Sequence, residues 1–331
     1  MTVHRRIPLE SRAEWEEALV GIPHAFAHTW GHCRSVHLSS MLPTFLYRYE
    51  DGDARVVCPL SERGFHGEPD LVTPYGFGGF VGTGGDVDFP ARWAEFAARE
   101  KYVCGYIGLN PLLQDERHYR QDTASAHNSV FVLDLRLPTE RLYAALDANR
   151  RRQVRAPLAP GHRIVWDRQR LASFFLETYP DFMRQVGAAA VYHFSPDTLA
   201  FLCSLDTVFL IGAEVDGRLE AVVMFGHTPA VGDYLFGVAQ PEGRRHAARL
   251  LWCGIERLRA LGIPALNLGG GARPADGIAE FKRRFGAREL PLVALREVYR
   301  PDAFQALCRA AGAVSGIGGY FPPYHSPGLH P

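Results

Sequence analysis

Lysine occurs at only two positions in this 331-residue chain, Lys101 and Lys282; every other long basic side chain is arginine. A codon bias would explain the disproportion, but the setting of Lys282 suggests chemistry. It stands in the string Phe281-Lys282-Arg283-Arg284-Phe285-Gly286. An ammonium is a compact charge, suited to the negative charge that builds on a carbonyl oxygen during acyl transfer, or to a nearby phosphate. An aromatic ring beside it can stack an unpaired base, worth roughly 1–3 kcal/mol. The same string also fits an amphipathic helix with a solvated lysine, and with Phe281 and Phe285 turned to the core at i, i+4.

Other candidate groups are less organised. The 14 histidines form no triad and no metal motif. His193, beside Tyr192, could take a proton from an attacking ammonium because its reference pKa is near neutral; Asp233 is a second possible base. Cys33, Cys58, Cys104, Cys203, Cys253 and Cys308 are scattered among apolar residues, which predicts buried reduced thiols rather than a disulfide frame or a zinc site. Arginines cluster at 150–152 and 155, at 244, 245 and 249, and at 283, 284 and 288. Gathered around one site they could bind RNA phosphates; scattered, they are exposed helix faces.

The elements that must position these groups follow one order twice. Thr44 to Tyr49 and Ala54 to Ser61 read as strands joined by Asp51-Gly52, a hairpin signal. The glycine-rich segment Pro74 to Gly85 follows, then a helical pattern from Pro90 to Glu100 and a strand from Tyr102 to Leu109. Further on, Val208 to Val215 and Leu219 to Phe225 are joined by Asp216-Gly217, and Tyr234 to Val238 is a third strand. Ala247, Leu250, Leu251, Ile255, Leu258 and Leu261 mark one face of a helix stopped by Gly262. Ala265 to Leu268 is a buried strand ended by Gly269, Gly270 and Gly271. Hairpin, strand, long helix, strand is the order of an acetyltransferase core. Between the repeats, Thr139 to Ala156 reads as one helical stretch ended by prolines, and the last sixteen residues are too rich in Gly and Pro for regular structure.

With 36 basic and 36 acidic residues, there is no global field to attract nucleic acid or an anionic membrane. The N-terminus lacks an apolar leader, and no uncharged apolar run of about 18 residues follows, so a cytoplasmic protein without membrane insertion is expected.

The segments ALNLGGGARPADGIAEFKRRFGARELPL, GRLEAVVMFGH and LDANRRRQVRAPLAPG resemble the FemAB/FemX family, most clearly from Asn149 to Ala287. Its members carry two acetyltransferase (GNAT) domains in tandem. They transfer an amino acid from aminoacyl-tRNA to an amine, mostly during peptidoglycan cross-bridge synthesis. The resemblance implies an α/β fold of mixed sheets, with residues 1–136 completed by 290–331 as one domain and 137–289 as the other. It gives Lys282 the catalytic role, and Phe281, Arg245, Arg283 and Arg284 contacts to the donor. Near the acceptor it places Trp30, Arg34, Tyr75, Arg184 and Tyr192, with His28 beside the first two. No cofactor is implied, since aminoacyl-tRNA is a co-substrate.

Two departures matter. Acetyl-CoA enzymes of this superfamily carry a Q/RxxGxG/A loop whose amides hold a pyrophosphate. Here Gln240-Pro241-Glu242-Gly243-Arg244-Arg245 keeps the Gln and first Gly but ends in a bulky arginine, favouring an aminoacyl-tRNA donor over CoA. Asn110-Pro111 stands where the peptidoglycan enzymes tend to have Asp-Pro, which favours a small natural-product-type amine over a peptidoglycan precursor as acceptor. The alternatives are an N-acyltransferase using acyl-CoA or an acyl-carrier protein, and a non-catalytic double-GNAT scaffold.

Overall fold

The computed structural model describes residues 2–85, 88–270, 277–314 and 319–326; Gly271 and half of the proline-rich C-terminal segment lie outside these. In chain order the strands and helices are β1 (Val3–Pro8), α1 (Arg12–Leu19), α2 (Trp30–Ser40), β2 (Thr44–Asp51), β3 (Ala54–Phe65), β4 (Glu68–Val72), β5 (Val81–Thr83), α3 (Phe89–Arg99) and β6 (Cys104–Gly108). They continue as β7 (Ala124–Asp134), α4 (Thr139–Ala145), α5 (Ala148–Arg155), β8 (His162–Val165), α6 (Arg168–Gln185), α7 (Pro196–Ser204), β9 (Val208–Val215) and β10 (Arg218–His227). The last are β11 (Gly232–Ala239), α8 (Ala247–Ala260), β12 (Ala265–Gly270), α9 (Gly277–Arg283), β13 (Arg288–Val298) and α10 (Pro301–Ala310).

The chain forms two compact units, Met1–Asn128 with Pro291–Pro331, and Ser129–Leu290. In unit 1 the strands pair in the order β1, β2, β3, β4, β6, β13, with β4 and β6 parallel. Strand alternation separates two cores. Tyr47, Tyr49, Val56 and Cys58 pack with Trp93 and Phe96 of α3, whereas Leu46 and Val57 pack with Trp15 and Cys33 of α1 and α2. Tyr47 meets Trp93 edge-on at 4.7 Å between ring centroids.

In unit 2 the order is β7, β12, β11, β10, β9, β8, with β11 and β12 parallel. The Asp216-Gly217 turn has both residues left-handed, at φ 48 and 81, as a type I′ hairpin requires. Helix α8 buries Ala248, Leu251, Ile255 and Leu258 against Ile211, Ala213, Val223 and Phe225. On α6, Phe175 and Tyr179 meet Phe236 of β11 at 6.3 and 5.5 Å.

Each unit therefore repeats one pattern: a hairpin, a strand, a helix, and a strand parallel to the last. The parallel register joins Leu71 with Gly105 and Val72 with Tyr106 in unit 1, and Gly232 with Leu266 and Asp233 with Asn267 in unit 2. The strand flanking each parallel pair comes from elsewhere in the chain: β13 borders β6, and β7 borders β12.

One expected element differs. Thr139 to Ala156 is two helices, not one, because Leu146 is extended and Asp147 starts α5 anew by accepting from the Arg150 amide at 2.7 Å. Five cysteines are buried and Cys253 is half-buried, all as free thiols.

Candidate functional site

Lys282 lies in the last turn of the short helix α9 in unit 2 and is 7% exposed, so it is not the solvated lysine of an open helix face. Taking an ammonium out of water costs several kcal/mol unless it is hydrogen-bonded. Its Nζ donates to the Gly270 carbonyl at 2.6 Å. That carbonyl is turned by a bulge: β12 pairs regularly with β7 through Asn267, and the register breaks before Gly270. Gly269, inside the break, has φ 72, which favours glycine, and a Cβ there would stand in ordinary contact with Nζ at 3.4 Å.

The bulge is held from below. Asn267, 1% exposed, accepts the Gly269 amide on Oδ1 at 2.8 Å and donates from Nδ2 to Asp233 Oδ1 at 3.1 Å. Asp233 faces Asn267 across the parallel pair, at the last residue joined in that register. The sequence reading missed Asn267. Its signal is a buried amide in the apolar strand Ala-Leu-Asn-Leu.

Phe281 packs partly into the core of unit 2, 5.2 Å from the Phe285 ring, while Phe285 is buried outright. The guanidinium of Arg150 lies over Phe281 at 4.5 Å. Burial lowers the Arg150 pKa from its ordinary value, with Asp147 opposing. A base stacking on that face of Phe281 has first to displace Arg150.

The other donor-side arginines carry acidic partners. Arg283 pairs with Glu280 at 2.9 Å and Glu289 at 3.3 Å; Arg284 pairs with Glu280 at 2.8 Å and Asp147 at 3.7 Å. Arg245 pairs with Glu242. All three are about half exposed, so these pairs are weak and exchangeable. Arg249 is engaged otherwise, donating to the Gln153 carbonyl at 3.2 Å and to that of Ala156.

Gln240 is extended, Pro241–His246 is a 3₁₀ turn, and α8 begins only after it. Gly243 is required by packing: a Cβ there would lie 2.0 Å from the Glu220 carbonyl oxygen. The glycine read in the sequence as a trace of a pyrophosphate loop is thus explained by contact with β10.

The residues assigned to the acceptor fall in two groups. In unit 1, Trp30 and Arg34 lie on α2. Trp30 donates to the Leu9 carbonyl at 2.7 Å and carries Arg12 over its ring at 4.7 Å. Tyr75 is tied to the same helix, since its carbonyl bonds the ring of His32 at 2.5 Å. His28 is fully buried, with its ring nitrogens at Ala25 and at the Gly79 carbonyl. The Pro74 to Gly85 segment packs on its own unit: Cβ atoms at Gly79 and Gly84 would meet Gly108 O at 2.9 Å and Asp53 O at 2.5 Å. Asn110 pins this segment by donating to the Phe77 carbonyl at 2.8 Å while its Oδ1 accepts the Leu112 amide at 3.0 Å. An ionised Asp cannot make the first of these bonds.

In unit 2, Arg184 is exposed and paired with Asp181 at the end of α6. The Tyr192 carbonyl accepts from Tyr179 at 2.8 Å. His193 is exposed, its Nε2 3.2 Å from the Ala188 carbonyl. Among the described residues no three His, Cys, Asp or Glu side chains gather to share a metal ion.

No protein family and no curated protein matches this sequence. The fold defines the class: two acetyltransferase-type α/β units in tandem, the architecture of FemX. The FemX crystal structure aligns with a TM-score of 0.66 over 92% of this chain and 99% of that one, at 11% identity. The C-terminal domain (DUF2156) of a putative lysylphosphatidylglycerol synthetase from Agrobacterium fabrum aligns at TM-score 0.54, covering 93% and 100% at 17% identity. L-PGS from Bacillus licheniformis aligns at 0.52, covering 86% and 91% at 12% identity. At such identities the likeness is one of fold.

Proposed function

We propose that this protein is an aminoacyltransferase that moves an aminoacyl group from aminoacyl-tRNA to an amine and forms an amide. The observation that carries this reading is the buried Lys282 ammonium held at the bulge of β12. A cation kept out of bulk water at a fixed place is what a developing oxyanion needs, because its electrostatic effect is strongest in a low-dielectric site. The neutral amine attacks the ester carbonyl, and Lys282 stabilises the oxyanion or the departing ribose oxygen. The C–O bond breaks as the C–N bond is kept, the amine loses a proton and the ribose oxygen gains one. Alignment of the two substrates supplies much of the rate.

The FemX fold and the name of the lysylphosphatidylglycerol synthetase relative, an enzyme of aminoacylated lipid, support a transferase of aminoacyl groups. The packing role of Gly243 and the 3₁₀ turn around it favour the tRNA donor over acyl-CoA. The acceptor is a small natural-product-type amine in this reading, since Asn110 lacks the carboxylate of the peptidoglycan enzymes. The enzyme would meet its donor in the cytoplasm; among the described residues no helix is long and apolar enough to cross a membrane.

Purified protein is incubated with a labelled mixed aminoacyl-tRNA pool, and separately with acetyl-CoA, across a panel of amines. RNase-sensitive amide formation is the expected result. Turnover that resists RNase and releases CoA would replace this reading with an N-acyltransferase, and absence of turnover with both donors would remove it.

A further inference from the structure

Three buried polar groups of unit 2 meet at the β12 bulge: Asp233 bonds Asn267, Asn267 bonds the Gly269 amide, and Lys282 bonds the Gly270 carbonyl. The Asn267 amide is oriented by both ends, with its NH₂ on Asp233 Oδ1 at 3.1 Å and its oxygen on the Gly269 amide at 2.8 Å. The next residue in the bulge, Gly270, supplies the carbonyl that receives Nζ at 2.6 Å. A buried amide leaves a costly unpaired group if either bond is missing. Gly269 is left-handed, and the register with β7 shifts between Asn267, opposite Val132, and Gly270, opposite Val130, so the ladder does not hold the bulge between those two partners. The side chain of Asn267 holds it, at the Gly269 amide.

We infer that Asn267 is a positioning residue for Lys282, anchored by Asp233, and that the pair sets where the ammonium stands through the β12 bulge. The inference rests on the catalytic reading of Lys282 given above. Asp233 in this arrangement is an anchor rather than the base. Its carboxylate holds the Asn267 NH₂, which turns the amide oxygen toward Gly269. The side chains must differ in kind, because two carboxylates at this spacing repel and would share a proton. Exchanging them restores the pattern: Asp at 267 accepts the Gly269 amide, and Asn at 233 donates back to it.

The test exploits the scarcity of lysine. Protein labelled with ¹⁵N-lysine gives two side-chain signals, from Lys282 and from the exposed Lys101, which serves as an internal reference. Asn267→Ala should move the Lys282 signal toward that of Lys101 and lower kcat at least tenfold, with KM for the amine within twofold. Asn267→Ser replaces it should the alanine variant not fold. Asn267→Asp should be as impaired, and the double exchange Asn267→Asp with Asp233→Asn should recover at least fivefold in kcat and return the Lys282 signal. A Lys282 signal unmoved by Asn267→Ala, or not returned by the exchange, overturns the inference. A signal that moves while turnover stays constant leaves the coupling in place and removes instead the catalytic role of Lys282.

Discussion

The guanidinium carbon of Arg150 lies 4.5 Å from the centre of the Phe281 ring, so a helix start on one segment covers the aromatic that precedes Lys282 on another. The Arg150 backbone is fixed by Asp147, and Asp147 is fixed in turn by the hydrogen bond its amide donates to the Arg284 carbonyl at 3.0 Å. The two segments therefore brace each other.

Removing the cation tests that brace. Arg150→Ala should lower unfolding stability by about 0.5–1 kcal/mol, the range of a half-exposed cation–π contact, and urea titration measures it. If the face of Phe281 receives a donor base, the same substitution should strengthen binding of deacylated tRNA, because the base no longer has to displace a side chain.

Replacing Lys282 by Ala should slow aminoacyl transfer at least tenfold, or about 1.4 kcal/mol in the barrier, with tRNA affinity changed far less. Lys282→Arg should not restore the rate. A planar, delocalised guanidinium does not reproduce the compact charge of the ammonium that bonds the Gly270 carbonyl. Steady-state rates with circular dichroism as a folding control decide it.

Asn110→Asp places a carboxylate against the Phe77 carbonyl and deletes a buried hydrogen bond, at a cost of about 1–3 kcal/mol. Only the protonated acid can donate there, so the deficit should shrink toward acid pH. Denaturation of both forms at two pH values reads the difference.

Burial lowers the pKa of His28 to about 3 and that of His32 to about 4. Both bind protons less readily folded than unfolded, so their neutral forms stabilise the fold above the unfolded value near 6.5. That stability is lost as pH falls below 6.5, and the loss is complete only below the folded values. Wild-type stability should decline from pH 6.5 toward 4 more steeply than that of His32→Gln, as thermal melts across this window would register.

The parts of the fold that could be read from sequence were those whose signals are local. Asp51-Gly52 and Asp216-Gly217 marked both hairpins, since Gly52, Asp216 and Gly217 are left-handed, a conformation that excludes most other residues. Helix α8 was plain from its apolar spacing. Helix α6 was not, with Pro180 inside it, nor β13, which contains Pro291. In the site, Lys282 stood out by rarity, and Phe285 by its spacing from Phe281. The seat of Arg150 on Phe281 joins residues 131 positions apart in number, and no local pattern carries such a meeting. Asn267 was hidden by its neighbours, since one amide in an apolar run reads as strand whatever it does.

Strand β13 borders β6, yet almost the whole of unit 2 is translated between them. A nascent chain therefore leaves the ribosome with the β6 edge of unit 1 bare until residue 298 emerges. Strands β7 to β12 of unit 2 are all made by residue 270. Maturation would then run opposite to synthesis, the later unit closing before the earlier one. An exposed edge of this kind invites pairing with other chains, so unit 1 is where a cell's chaperones would be needed first.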